Sequence, residues 1–191
     1  MVRILKHGYT APMRALELGA NGIMVPHCRT AEEARQWVEW TRFPPLGKRG
    51  FDGAGPDADY ALANPIEYLR HANEQTFLVV QIEDAEAVSC VDEIASVPGV
   101  DLLFVGPADL SISYGVPLQL DHIFVQRAID RIAEAAAKNG KWWGMPTGSP
   151  DAAQALINRG GRFIVCGGDH GALLNGLRTG LDAHRGLHIA R

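Results

Sequence analysis

Cysteine is scarce in this chain: Cys28, Cys90 and Cys166 are three residues far apart, with no CxxC spacing. That excludes a disulfide framework and a thiolate metal site, so reduced thiols are expected. No run approaches the length of a membrane span, and the stretch from Met1 to His7 lacks the apolar centre of a leader, which predicts a soluble, cytoplasmic protein that does not enter a membrane. An excess of one charge is also missing: 18 Lys and Arg face 22 Asp and Glu, interspersed, for a net charge of −4. Without a basic stripe, nucleic acid is not an expected partner, and a small acidic substrate requires a local positive pocket. Aromatics make up only 7%; the pairs Trp37/Trp40 and Trp142/Trp143 read as core or subunit contacts, not as a platform for stacking bases. Phosphate signatures are absent too. The first apolar run, Val2 to Leu5, continues into Lys6-His7-Gly8-Tyr9 with no GxGxxG, and there is no Walker A sequence.

What is present is a regular alternation. With 191 residues, 47% of them hydrophobic, the chain can bury an ordinary core, and one domain over residues 1–191 is expected. Strands are predicted at 2–5, 22–25, 77–82, 102–105, 142–145 and 162–166. Between them lie helical stretches: Ala11 to Leu18 with Thr10 as cap and Gly19 past its end; one opened by the capping-box spacing Thr30-Ala31-Glu32-Glu33; one restarting at Asn64-Pro65; and others at about 85–95, 121–138, 150–159 and from 170. Loops at 43–64 and 106–120 are long enough to suggest function. Six βα units call for an α/β fold with a parallel sheet and helices outside it. A full (β/α)₈ barrel takes about 250 residues, so the length corresponds to a TIM-type barrel truncated to about six βα units. A doubly wound sheet is the competing architecture, and its usual Gly-rich turn is missing.

Two acidic residues stand at the ends of apolar runs: Glu83 after Phe77 to Ile82, and Asp109 after Leu102 to Val105 and Gly106-Pro107-Ala108. In parallel sheets ligands collect where strands end. The two are 26 residues apart, one βα unit, which puts them on neighbouring strands at the same rim. Two close carboxylates suit a hard divalent cation such as Mg²⁺ or Mn²⁺. The spacing is met equally by an acidic first turn, Glu83 with Asp84 and Glu86, and by Asp109 as a simple cap.

Gln81-Ile82-Glu83 followed by Gly106-Pro107-Ala108-Asp109-Leu110-Ser111 resembles the metal-dependent class II pyruvate aldolases of the HpcH/HpaI family. Val2-Arg3, Gly22 to Pro26, Thr30 to Ala34, Arg42 to Gly47 with Arg49-Gly50, and Gly167-Gly168-Asp169 match in the same order over nearly the whole chain. The resemblance implies a lyase that cleaves a 4-hydroxy-2-oxo acid reversibly into pyruvate and an aldehyde, through a metal-bound pyruvate enolate. It implies Glu83 and Asp109 as ligands of Mg²⁺, Mn²⁺ or Co²⁺, Arg3 as the catalytic group facing the keto oxygen, and Gln81 lining the pyruvate pocket. The backbone N–H groups of Ala108 and Asp109 are expected to receive the substrate carboxylate. Gln81 and Glu83 alternate on one strand, which puts both on one face. Arg49 reads either as a substrate contact or as a solvated loop arginine, and His27 either as a group for an acidic aldehyde tail or as a satisfied polar residue at a strand end. His170 reads as the start of a helix whose N-terminus holds an anion. A homo-oligomer, a hexamer or trimer of dimers, is implied as well.

The family pattern includes two further βα units before the first strand read here, with an Asp–His dyad for proton transfer, and nothing in this chain matches that dyad. Loss of a positioned acid/base lowers catalysis by about 10²- to 10⁴-fold. A non-catalytic metal- or 2-oxo-acid-binding subunit, and a related citramalyl- or malyl-CoA-type lyase, are therefore the alternative expectations; no basic groove for CoA phosphates is evident.

Overall fold

The computed structural model describes residues 1–6 and 8–187. Its strands are β1 (Val2–Arg3), β2 (Gly22–Val25), β3 (Phe77–Ile82), β4 (Leu102–Val105), β5 (Trp142–Thr147) and β6 (Phe163–Cys166). Its helices are α1 (Thr10–Glu17), α2 (Ala31–Thr41), α3 (Pro65–Gln75), α4 (Ala85–Ser89), α5 (Val91–Ala95), α6 (Pro107–Ser113), α7 (Ile123–Lys138), α8 (Pro150–Asn158) and α9 (Asp169–His184), with a 3₁₀ turn at Pro56–Ala61. The six strands pair in parallel, in the order β1-β2-β3-β4-β5-β6. An order that never reverses has no switch point, which rules out the doubly wound alternative. The sheet curls into a half-barrel with β1 and β6 as its edges, consistent with a truncated TIM-type barrel.

Alternation along the strands sorts the side chains. Ile23, Val25, Leu78, Val80, Ile82, Leu103 and Val105 point outward into the main core beneath the helices, where Trp37, Ile94, Ile129, Ile132 and Trp143 meet them. Each such buried aliphatic side chain contributes about 1.5–3 kcal/mol. The opposite face holds a thin inner cluster of Met24, Val79, Leu102 and Phe104, with Phe77 and Phe163 against it. Gln81 and Glu83 continue that inner face from Val79, so the alternation that builds the core also delivers them to the end of the barrel.

Helix ends follow local chemistry. Thr30 Oγ1 accepts the Glu33 N–H at 3.2 Å, and Asn64 Oδ1 accepts from Ile66 and Glu67 at 3.0 and 3.3 Å. Glu33 reaches back to the N–H of Arg29 at 2.9 Å, one residue before the cap. The expectation for Thr10 fails: it lies inside α1, whose cap is Tyr9 with no side-chain bond. Gly19, at φ +92°, does close that helix, as its N–H bonds the Leu16 carbonyl at 2.9 Å. The helix predicted over 85–95 is two, broken at Cys90, where Ser89 Oγ bonds the Glu86 carbonyl at 2.6 Å and competes within the turn. Trp142 is 62% exposed, so only its neighbour Trp143 is core. The three cysteines are free thiols.

Candidate active site

Glu83 follows β3 directly and is 1% exposed. Its Oε1 accepts the backbone N–H of His27 at 2.8 Å, and its Oε2 accepts Gln81 Nε2 at 2.6 Å. Burial pushes its carboxyl up from the ordinary range; the His27 N–H and imidazole pull it down, and the charges of Asp109 and Asp84 push it further up. The chain therefore brings the two predicted carboxylates within electrostatic range of each other. Asp109 sits in the first turn of α6, exposed, with Ala108 exposed beside it. The N–H groups of Ala108 and Asp109 fall in that first turn, where the helix offers no carbonyl, and Pro107 has no N–H to donate. Gly106 leaves room for Glu83: a Cβ there would collide with Glu83 Oε2.

The second predicted pocket residue, Gln81, is 6% exposed and gives its amide N–H to Glu83. Its Oε1 is buried without a partner among the described residues. A buried carbonyl oxygen left unbonded costs about 1–3 kcal/mol, so an acceptor standing empty beside a buried carboxylate marks a place for a ligand. The donor set is all oxygen, as a hard divalent cation requires. The described residues contain no group of three or more His, Cys, Asp or Glu able to hold a metal. A cation here would rest on Glu83 and Asp109 and take its other oxygens from water and substrate, which is how Mg²⁺ is usually bound. The residues fit such an ion.

Arg3 pairs in register with Met24, a member of the inner cluster, so β1 turns it toward the inside of the barrel. It is exposed, and among the described residues it makes no ion pair with either carboxylate. Around the rim, Lys6 Nζ donates to the His27 carbonyl at 2.8 Å and pairs with Glu33, while Arg29 Nε lies 3.2 Å from Asp84 Oδ2. Burial raises the Asp84 carboxyl, but bonds from Arg29 and His27 outweigh it and hold it below the ordinary range.

The reading of Arg49 as a solvated loop arginine is overturned. It is 4% exposed, pairs with Asp57 at 2.8 Å, donates to Tyr68 OH at 3.2 Å and lies 4.5 Å over the Phe43 ring. The loop 43–64 thus packs on α3 through a small core of Phe43, Ala58, Tyr68 and Ala72. A cleft of about 690 Å³ lies at the opposite rim among Thr76, Phe77, Asp101, Trp142 and Arg162, away from the carboxylates.

A family profile described as HpcH/HpaI aldolase/citrate lyase matches residues 1–176. The chain belongs to this family. It is 38% identical over 156 residues to a 2-keto-3-deoxy-L-rhamnonate aldolase of Escherichia coli, covering 82% of this chain and 58% of that protein. It therefore spans little more than half the length of that relative. Among solved structures, an HpcH/HpaI aldolase of Desulfitobacterium hafniense superposes with a TM-score of 0.90 at 32% identity, over 98% of this chain and 72% of the other. A family protein of Burkholderia cenocepacia gives 0.88 at 36% identity, over 96% and 72%. In HpcH/HpaI terms, sequence reasoning found Glu83, Asp109, Gln81 and Ala108 as neighbours of one rim. It missed the engagement of His27 with Glu83, whose only sequence signal is a polar residue just past an apolar strand.

Proposed function

We propose that this chain carries the metal- and pyruvate-binding half of a class II aldolase, which cleaves a 4-hydroxy-2-oxo acid reversibly into pyruvate and an aldehyde. The observation that carries the reading is the buried Glu83 carboxylate next to the unpartnered Gln81 Oε1, with Asp109 within electrostatic range. Glu83 and Asp109 would hold Mg²⁺, Mn²⁺ or Co²⁺, which when bound acts as a Lewis acid on the 2-oxo group, a contribution of several kcal/mol. Gln81 borders the pocket for the 2-oxo acid. The N–H groups of Ala108 and Asp109 would receive its carboxylate. Arg3, on the inner face of β1, would stabilise negative charge developing on the keto oxygen as the C3–C4 bond breaks, and loss of a comparable donor costs about 10²- to 10³-fold in rate. The name of the Escherichia coli relative, a 2-keto-3-deoxy-L-rhamnonate aldolase, is consistent with a sugar-derived 2-oxo acid as substrate.

A cytoplasmic site of action accords with such a substrate, and no helix among the described residues is long and apolar enough to cross a membrane. A homo-oligomer is also proposed: α9 has no buried residue and exposes Leu173, Leu177 and Leu181 along one stripe. The test of the activity is release of pyruvate from 2-keto-3-deoxy-L-rhamnonate, with Mg²⁺, Mn²⁺ or Co²⁺ and again with chelator. Metal-dependent release that falls at least 10²-fold in Glu83→Gln supports the reading. Release indifferent to chelator and to that substitution refutes it.

A further inference from the structure

His27 is held at three points. Its backbone N–H donates to Glu83 Oε1 at 2.8 Å, and its carbonyl accepts Lys6 Nζ at 2.8 Å. Its Nδ1 lies 3.2 Å from Asp84 Oδ2 and 3.4 Å from Glu83 Oε1. Carboxylates only accept, so Nδ1 carries the proton. The residue does this at φ +48°, a left-handed conformation that a residue with a Cβ adopts at a cost of about 1–2 kcal/mol. The turn at the end of β2 is strained, and the strain aims an N–H and an N–H-bearing ring at the same two acidic residues. Pro26 precedes it, and directly after it the Cys28 N–H bonds the Gln81 carbonyl at 3.2 Å, which stitches the turn to β3.

We propose that His27 is a positioning residue for the metal site: it fixes the orientation of the Glu83 carboxylate through its backbone N–H, and through an imidazole that bridges residues 83 and 84. The inference rests on the reading of Glu83 as a metal ligand. Gln81 takes Oε2 and His27 takes Oε1, so neither oxygen is free to rotate, and the remaining lone pairs face a fixed direction. Groups that orient metal ligands in this way change metal affinity by about 10- to 100-fold when removed.

The test is Mn²⁺ binding, followed by the paramagnetic resonance signal of the free ion, on the wild type, Glu83→Gln, His27→Gly and His27→Asn, with thermal unfolding measured on each. Glycine keeps the N–H and tolerates the left-handed turn, so the fold is retained while the imidazole is lost. Asparagine also tolerates the turn and offers an amide donor near Nδ1. The expected result is Mn²⁺ affinity weakened about 10- to 100-fold in His27→Gly at unchanged melting temperature, and largely recovered in His27→Asn. Wild-type binding that Glu83→Gln abolishes and His27→Gly leaves unchanged would overturn this inference alone. No Mn²⁺ binding by the wild type would overturn the metal reading and this inference with it.

Discussion

Replacing Gly106 with alanine adds one methyl group at the point where β4 passes the Glu83 side chain. Ile82 and Val105 are register partners, so Gly106 stands opposite Glu83, and its N–H bonds the Ile82 carbonyl at 3.2 Å. The added Cβ would collide with Glu83 Oε2, and would lie 2.8 Å from Glu83 Cβ and 3.1 Å from Gln81 Nε2. The carboxylate oxygen could swing away, but the Glu83 Cβ is fixed by the backbone, so side-chain rotation alone does not relieve the overlap. β3 and β4 must therefore separate at this point, and Glu83 also leaves its rotamer and gives up the 2.6 Å bond from Gln81. Overpacking costs about 1–3 kcal/mol, and a hydrogen bond to a charged group about 1.5–3 kcal/mol. A single displacement incurs both, so the two overlap and the sum is near 2 kcal/mol. For a chain of this size that lowers the melting temperature by about 4–8 °C. The backbone is not the cause, since Gly106 has φ −97°. Gly148→Ala is the control, because a Cβ there meets nothing within 4 Å. Gly106→Ala should also weaken Mn²⁺ binding about 10- to 100-fold, as displacement of a ligand does. Thermal unfolding and Mn²⁺ titration on both variants decide it. A Gly106→Ala protein with wild-type melting temperature and wild-type Mn²⁺ affinity refutes the packing account.

Two further outcomes follow from groups away from the rim. The Cys28 thiol is pushed up to about 12, chiefly by burial, so iodoacetamide at pH 8 should modify the exposed Cys166 and leave Cys28 intact in the folded protein, as peptide mass mapping will read. The folded state holds that proton above the ordinary thiol value of 9.0, so this group's contribution to stability should fall as pH rises from about 9 to about 12; urea unfolding that shows a rise across that window, with Cys28→Ala unchanged in slope, would contradict it. Arg49→Ala strands the Asp57 carboxylate against Tyr68 and should cost about 3–5 kcal/mol in urea unfolding. Mn²⁺ affinity in that variant should stay within about threefold of wild type, because the arginine holds the loop and not the rim.

The strands were legible because side chains buried on both faces of a parallel sheet leave continuous apolar runs, as at Gly22–Val25, Phe77–Ile82 and Leu102–Val105. Two residues apart on one strand, Gln81 and Glu83 are assigned to a common face without any knowledge of the fold. The caps at Thr30 and Asn64 were legible for a similar reason, since their bonds close within three residues. Thr10 has the right chemistry and still sits one position inside its helix, where its cap role disappears. Arg49 was misread because its partners Asp57, Tyr68 and Phe43 are joined only when the long loop folds back on α3, and no local pattern records such a closure.

The chain by itself determined the number and order of the βα units, the rim to which Glu83 and Asp109 belong, and the resemblance that places the chain among HpcH/HpaI proteins, because these depend on spacing along one strand or across one unit. Tertiary structure decided the rest of the site. Only the pairing of β2, β3 and β4 brings the His27 N–H to Glu83, makes Gly106 the residue that leaves it space, and buries the free oxygen of Gln81. Those contacts join residues 23 to 56 positions apart, and their geometry is set by strand register and by one left-handed turn, quantities that no short segment of sequence specifies.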